Sequence, residues 1–137
     1  MSCIFCKIIQ GEIPCFKLYE STKVLAFLDI GALSDGHALV IPKHHAMKMH
    51  DIPDDQLAEM LPTAKKIAKA LGNGDPEFQY NLLQNNGRLA HQQVDHVHLH
   101  IIPKPSEAEG LGVRWNAKGS SMDEIKKTFE ELKARLE

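Results

Sequence analysis

Four of the eight histidines in this chain fall between His91 and His100, and three of them alternate with aliphatic residues in His96-Val97-His98-Leu99-His100-Ile101-Ile102. Imidazole serves as nucleophile, proton carrier or metal ligand near neutral pH. In an extended strand, side chains alternate between faces, so the three rings would share one face at intervals of about 6.5–7 Å. Val97, Leu99 and Ile101 would then point into a core. Wound into a helix, the same rings would fan over about 200° of arc and scatter the apolar residues with them. The pattern predicts a strand with imidazoles on its wet face. Such a row suits a catalytic metal held by a His-x-His pair, or nucleophilic attack by one neutral ring oriented by its neighbours. A strand with merely solvated histidines is the third reading.

The surroundings narrow the chemistry. Asn85-Asn86-Gly87 lies about ten residues upstream, and a glycine-bearing polar loop can aim backbone N–H groups at an anion such as phosphate. Asp29 ends the apolar run Ala26-Phe27-Leu28, where one carboxylate could accept from two ribose hydroxyls or simply cap its own turn. His37 opens a second apolar run, His37-Ala38-Leu39-Val40-Ile41. Cys3-Ile4-Phe5-Cys6 supplies two thiols at zinc-knuckle spacing, which is half of a tetrahedral site. Cys15, after Pro14, reads as a small half-buried residue. Without a charged-then-apolar leader pattern, the cysteines point to metal binding or redox chemistry in a cytosolic setting rather than to a disulfide scaffold.

The elements that must position these residues follow from periodicity. Ile4, Phe5, Ile8 and Ile9 predict a short helix over 4–10, ended by Gly11. Strands are expected over 16–19 and 24–28 as a hairpin, over 37–41 before Pro42, over 78–83, and over 94–102 before Pro103. A long helix runs from Asp54, as its cap, to about 71, with Leu57, Met60, Leu61, Ala64, Ile67, Ala68 and Leu71 in a stripe, and Pro62 kinks it or removes one hydrogen bond. Residues 103–119 read as an ordered loop. Ser121-Met122-Asp123-Glu124 is a capping box opening a helix over about 121–136, with Ile125, Phe129, Leu132 and Leu136 on one face. Hairpin-linked strands with interspersed helices predict an α+β fold with an antiparallel sheet, in one domain spanning 1–137. Sixteen Lys+Arg against eighteen Asp+Glu give a formal charge of −2, which argues against nucleic acid as a partner. No apolar run is long enough to span a bilayer.

With these residues in place, the chain resembles the histidine-triad family, whose motif is His-φ-His-φ-His-φ-φ (φ apolar). The companion stretches are Ile4-Phe5-Cys6-Lys7-Ile8-Ile9, Ala26 to Ile30, Gly36 to Lys43, and Asn85-Asn86-Gly87, in the right order over residues 3 to about 115. The likeness is to the nucleotide-phosphoramidase (Hint) branch, in its zinc-binding bacterial and fungal forms. That resemblance implies a five-stranded antiparallel sheet with two longer helices and a short amino-terminal one, continued across a homodimer.

It also implies hydrolysis of purine nucleoside phosphoramidates, with release of the nucleoside monophosphate. His98 would be the nucleophile and carry a nucleotidyl intermediate; His100, His37 and His96 would complete the catalytic histidines. Phe5, Ile8, Phe27 and Ile30 would flank the base and Asp29 the ribose, while Asn85, His91, Gln92 and Gln93 would line the phosphate end. Zinc would sit between Cys3, Cys6, His45 and His96 as a structural ion not needed for the chemistry, the alternative being two reduced, unliganded cysteines. His44 and His50 would face solvent. Relatives often carry Gly-Gln-Ser where this chain has His91-Gln92-Gln93, a departure that bears on leaving-group assistance. The rival functions are dinucleoside polyphosphate hydrolysis, a nucleotide-binding regulatory module with vestigial catalysis, and a metal-dependent hydrolase. The expected compartment is the cytoplasm, extending to the nucleus.

Overall fold

Residues 2–137 are described by a computed structural model. Five strands pair antiparallel: β1 (Lys17–Glu20), β2 (Val24–Leu28), β3 (Ala38–Pro42), β4 (Tyr80–Gln84) and β5 (Leu99–Pro103), in the spatial order β1-β2-β3-β5-β4. The helices are α1 (Ile4–Ile9), α2 (Asp54–Gly72) and α3 (Met122–Leu136). This is the expected α+β arrangement, with one short and two longer helices. No helix among the described residues is long and apolar enough to cross a membrane.

Strands β2 and β3 are buried on both faces, which accounts for their almost unbroken apolar sequence. One face carries Val24, Ala26, Ala38, Val40, Val97, Leu99 and Ile101 and packs on Met60, Ala64, Ile67 and Ala68 of α2. The opposite face carries Leu25, Phe27, Leu39 and Ile41 and is covered by Phe5 of α1. His100 stands opposite Leu39 in the β3–β5 register. The alternation of the histidine run therefore sorts its aliphatic residues toward α2, as expected, and its rings toward α1.

Several local expectations change. The fifth strand begins at Leu99 rather than at 94, because its pairing stops there on both sides, opposite Val40 of β3 and opposite Gln84, the last residue of β4. There the Val97 N–H donates to the Ala46 carbonyl at 2.9 Å, off the ladder. The face bearing the rings is not wet: His96 is fully buried and His98 nearly so. Helix α2 is capped by Pro53 in extended conformation, without a side-chain cap from Asp54, and it continues through Pro62 as one element. Leu61, expected in the stripe, is exposed. Both Pro42 and Pro103 are the last residues of their strands rather than the first residues beyond them. Helix α3 does form on its capping box, with Ser121 and Glu124 each accepting the other's backbone N–H, yet none of its residues is buried.

Gly36 sets the entry to β3 and thus the position of His37. Its φ of +89° is a conformation open to glycine, and a Cβ there would meet Leu71 Cδ2 at 2.6 Å. Gly36→Ala is expected to lower unfolding free energy by about 1–2 kcal/mol in urea titrations, chiefly through the disfavoured backbone conformation. An unchanged midpoint would contradict it.

Candidate active site

Beside α1, the sheet leaves a mostly apolar cavity of about 430 Å³ with a few convergent polar groups. Its walls include Phe5 and Ile8 from α1, Phe27 from β2, Asp29 and Ile30 from the turn after β2, and His37, His98 and His100. Asn85, His91 and Gln93 close one end. Eleven residues nominated from sequence are thus brought to one cavity. Two are not. Gln92 is fully buried behind the loop: its Oε1 accepts the Gly87 N–H at 2.7 Å, and its Nε2 donates to the carbonyls of Met47 and Val94 at 2.8 and 3.0 Å. The amide that was expected to line the phosphate end instead holds the loop that does. His96 points away from the cavity, toward the cysteines.

The tautomers of three rings follow from partners that can act in only one way. A carbonyl only accepts, so the His98 Nδ1–H donates to the His96 carbonyl at 2.7 Å, and Nε2 keeps its lone pair. A backbone amide only donates, so His37 Nδ1 accepts from the Leu33 N–H at 3.1 Å. The His37 proton is then on Nε2, which donates to His100 Nδ1 at 2.9 Å. The remaining His100 proton sits on Nε2. A bare nitrogen and an N–H donor therefore stand side by side, with the two ring centroids 4.8 Å apart. Phe5 packs edge-on against His98 at 5.1 Å and against Phe27 at 5.7 Å.

Asp29 does two things at once. Its Oδ1 accepts the Gly31 N–H at 2.8 Å, the turn-capping reading, while Oδ2 lies 3.5 Å from His37 Nε2 on the cavity side. Burial lowers the pKa values of His37 and His98, opposed by the Asp29 carboxylate. Burial, then the neighbouring His98 and His37, push His100 down to about 4. His37, His98 and His100 are neutral at pH 7.

A second cluster lies where α1 meets the segment before β5. His96 Nε2 donates to the Pro42 carbonyl at 2.8 Å, so its Nδ1 lone pair faces Cys3 Sγ at 3.5 Å and Cys6 Sγ at 3.6 Å. His45 Nδ1 is 3.3 Å from Cys6 Sγ and 3.2 Å from His96 Nδ1. Tetrahedral zinc with Zn–S of about 2.3 Å and Zn–N of about 2.0–2.1 Å has edges of about 3.5 Å between S and N and about 3.3 Å between two N. The donor set and its spacing fit that ion. His44 and His50 are exposed and belong to neither cluster.

Comparison with known proteins agrees with this geometry. The model of the HIT domain matches residues 10–107. The chain belongs to the HIT domain family. It is 59% identical over 136 residues to the Adenosine 5'-monophosphoramidase hnt1 of Schizosaccharomyces pombe, covering 99% of each chain. The crystal structure of a histidine triad nucleotide-binding protein from Candida albicans superposes with a TM-score of 0.93 at 56% identity, covering 98% of this chain and 97% of that one. A Zn-bound histidine triad family protein from Mycobacterium smegmatis superposes with a TM-score of 0.69 at 35% identity, over 89% of this chain and 81% of that one.

The motifs missed part of the HIT-family cavity. Ile13, Pro14 and Cys15, in the turn after α1, line it, as do Leu33 and Leu111 from loops without periodic pattern. Leu111 is brought in by the Gly110 N–H donating to the Leu33 carbonyl at 3.1 Å and by Ser34 Oγ donating to the Pro103 carbonyl at 2.6 Å. The proline and glycine flanks were legible, but their long-range partners were not.

A histidine whose pKa falls on folding binds fewer protons in the native than in the unfolded state between the two values. Its stabilisation is complete above the ordinary 6.5 and is lost as pH falls through the folded value, about 4 for His100. Thermal midpoints are expected to decline steadily as pH drops from about 6.5 toward 4, and less steeply in His100→Asn. Level midpoints across that window would overturn the assignment of neutral rings.

Proposed function

We propose that this protein hydrolyses adenosine 5'-phosphoramidates and related purine nucleoside phosphoramidates, releasing the nucleoside monophosphate through a nucleotidyl group carried on His98. One observation carries this reading: the His98 Nδ1–H is committed to the His96 carbonyl, which leaves a bare Nε2 at the wall of a nucleotide-sized cavity. The name of the Schizosaccharomyces pombe relative, matched over nearly the whole of both chains, supports the same substrate class.

The reaction proceeds by two displacements at phosphorus. His98 Nε2 attacks and the amine leaves; water then attacks the nucleotidyl-histidine and restores the neutral ring. The His100 Nε2–H, fixed by the Leu33–His37–His100 chain, donates to a phosphoryl oxygen where negative charge builds. Phe5, Ile8, Phe27 and Ile30 form the apolar walls that take the purine. Asp29 Oδ2 accepts from ribose hydroxyls, and Asn85 with the 91–93 loop borders the phosphoryl group.

Cys3, Cys6, His45 and His96 bind a structural zinc ion in this reading, supported by their spacing and by the Zn-bound relative. Burial, then the Cys3 thiol, push Cys6 up to about 11, so a cation is what would hold its sulfur as a thiolate at neutral pH. When bound, the ion would tie α1 to the segment carrying His98. A homodimer is supported by the open edge of β4, with Tyr80 and Leu82 exposed, and by the uncovered Ile125, Phe129 and Leu132 of α3. The three free thiols favour a reducing compartment, the cytoplasm or the nucleus with it.

Two experiments test this. A slow adenylate substrate, quenched in turnover and digested, is expected to label a peptide at His98; His98→Asn should lose the label and at least about 10³-fold in kcat while binding AMP within a few-fold. Label on another residue would sink the mechanism. Protein purified without chelators should carry about one zinc per chain, falling below about 0.1 in Cys6→Ser. Wild-type protein at that lower value would sink the metal site.

A further inference from the structure

His91 is the least comfortable residue near the cavity. Its φ is +68°, in the left-handed region where a side chain costs energy and glycine does not. The loop imposes this conformation. The Ala90 and Gln92 N–H groups both donate to the Gly87 carbonyl, the His91 N–H donates to Arg88, and Asn85 Nδ2 donates to the His91 carbonyl at 3.2 Å. Buried Gln92 anchors the turn from beneath. Closure of the loop would be better served by glycine. The imidazole has no hydrogen bond to another side chain or to the backbone among the described residues. It is exposed at the cavity end beside Gln93 and lines the same space as His98 and His100.

The proposed chemistry leaves one task unassigned. An amine leaving phosphorus needs a proton, since an amide anion is a very poor leaving group in water. His98 keeps its only proton on Nδ1 against the His96 carbonyl. His37 and His100 are neutral and spend their protons within the relay and on the phosphoryl oxygens. Gln93 can hydrogen-bond but cannot deliver a proton. Of Asn85, His91 and Gln93 at this end of the cavity, only the imidazole can both give and take a proton.

We propose that His91 is the general acid for the leaving amine and the general base for the water that follows. This rests on the phosphoramidate reading above. In the first step the His98 Nε2–P bond forms and the P–N bond breaks, and the proton of the His91 imidazolium passes to the departing nitrogen, giving a neutral amine. In the second step water gives its proton to neutral His91 as its oxygen bonds to phosphorus. The electron pair of the Nε2–P bond returns to His98. Both rings end as they began.

The test compares two leaving groups in wild type, His91→Gly and His91→Asn. Glycine and asparagine both tolerate positive φ, so the loop is retained; the thermal midpoint of His91→Gly should be no lower than that of wild type. One substrate is an adenosine phosphoramidate of an alkylamine, which needs a proton to leave. The other is the nitrophenyl ester of AMP, whose phenolate leaves without one. The expected result is that both variants lose about 10–100-fold more kcat/KM on the alkylamine substrate than on the nitrophenyl ester, because kcat/KM reports the steps up to departure of the leaving group and not the water step that the two substrates share. Added imidazole should restore part of the alkylamine rate in His91→Gly. Equal losses on the two substrates, or no loss on the amine, would overturn the assignment to His91. A wild type inert toward both would instead sink the phosphoramidate reading, and His91's part with it.

Discussion

The site depends on one buried ring, His96, each of whose polar groups has a different task. Its Nε2–H is tied to the Pro42 carbonyl at the end of β3, and its Nδ1 faces two sulfurs and His45. Its backbone carbonyl fixes the His98 proton on Nδ1. With no exposed surface, His96 has no water to substitute for a lost partner. The cysteine cluster and His98 are therefore one mechanical unit. Whatever holds His96 also decides which nitrogen of His98 is bare.

Burial explains why the histidines remain neutral and why they can be stacked so closely. Three protonated rings at centroid separations near 5 Å would repel strongly where few waters screen them. Desolvation removes that possibility by favouring the uncharged forms, and directional hydrogen bonds then select the tautomers. The chain from Leu33 through His37 to His100 is set by a backbone amide at one end. A loop with no chemistry of its own thus determines where a proton is offered in the cavity.

Much of this was legible because it depends on local rules. Alternation in residues 96–102 sorted aliphatic side chains to the α2 face, since the chirality of an extended chain leaves no other choice. The capping box at Ser121 and the stripe of α2 are likewise patterns within one element. The misjudged positions share a different cause. Residues 94–98 have strand-like sequence but lie outside the ladder, which stops at Leu99 on both sides. Gln92 sits within a motif yet faces inward, because the loop closes around it. The wet face was covered by α1, which is distant in sequence.

What the sequence determined alone was the set of chemical groups and the face to which each would turn: three imidazoles on one side of an extended segment, two thiols one helical turn apart, and a glycine-bearing polar loop. Only tertiary structure decided which nitrogen carries each proton and which groups meet. Cys6 and His45 are 39 residues apart, and His37 and His100 are 63 apart. A proton's place on an imidazole is set by whether its neighbour can give or only receive. That neighbour is chosen by how the whole chain packs, not by the residues beside it in sequence.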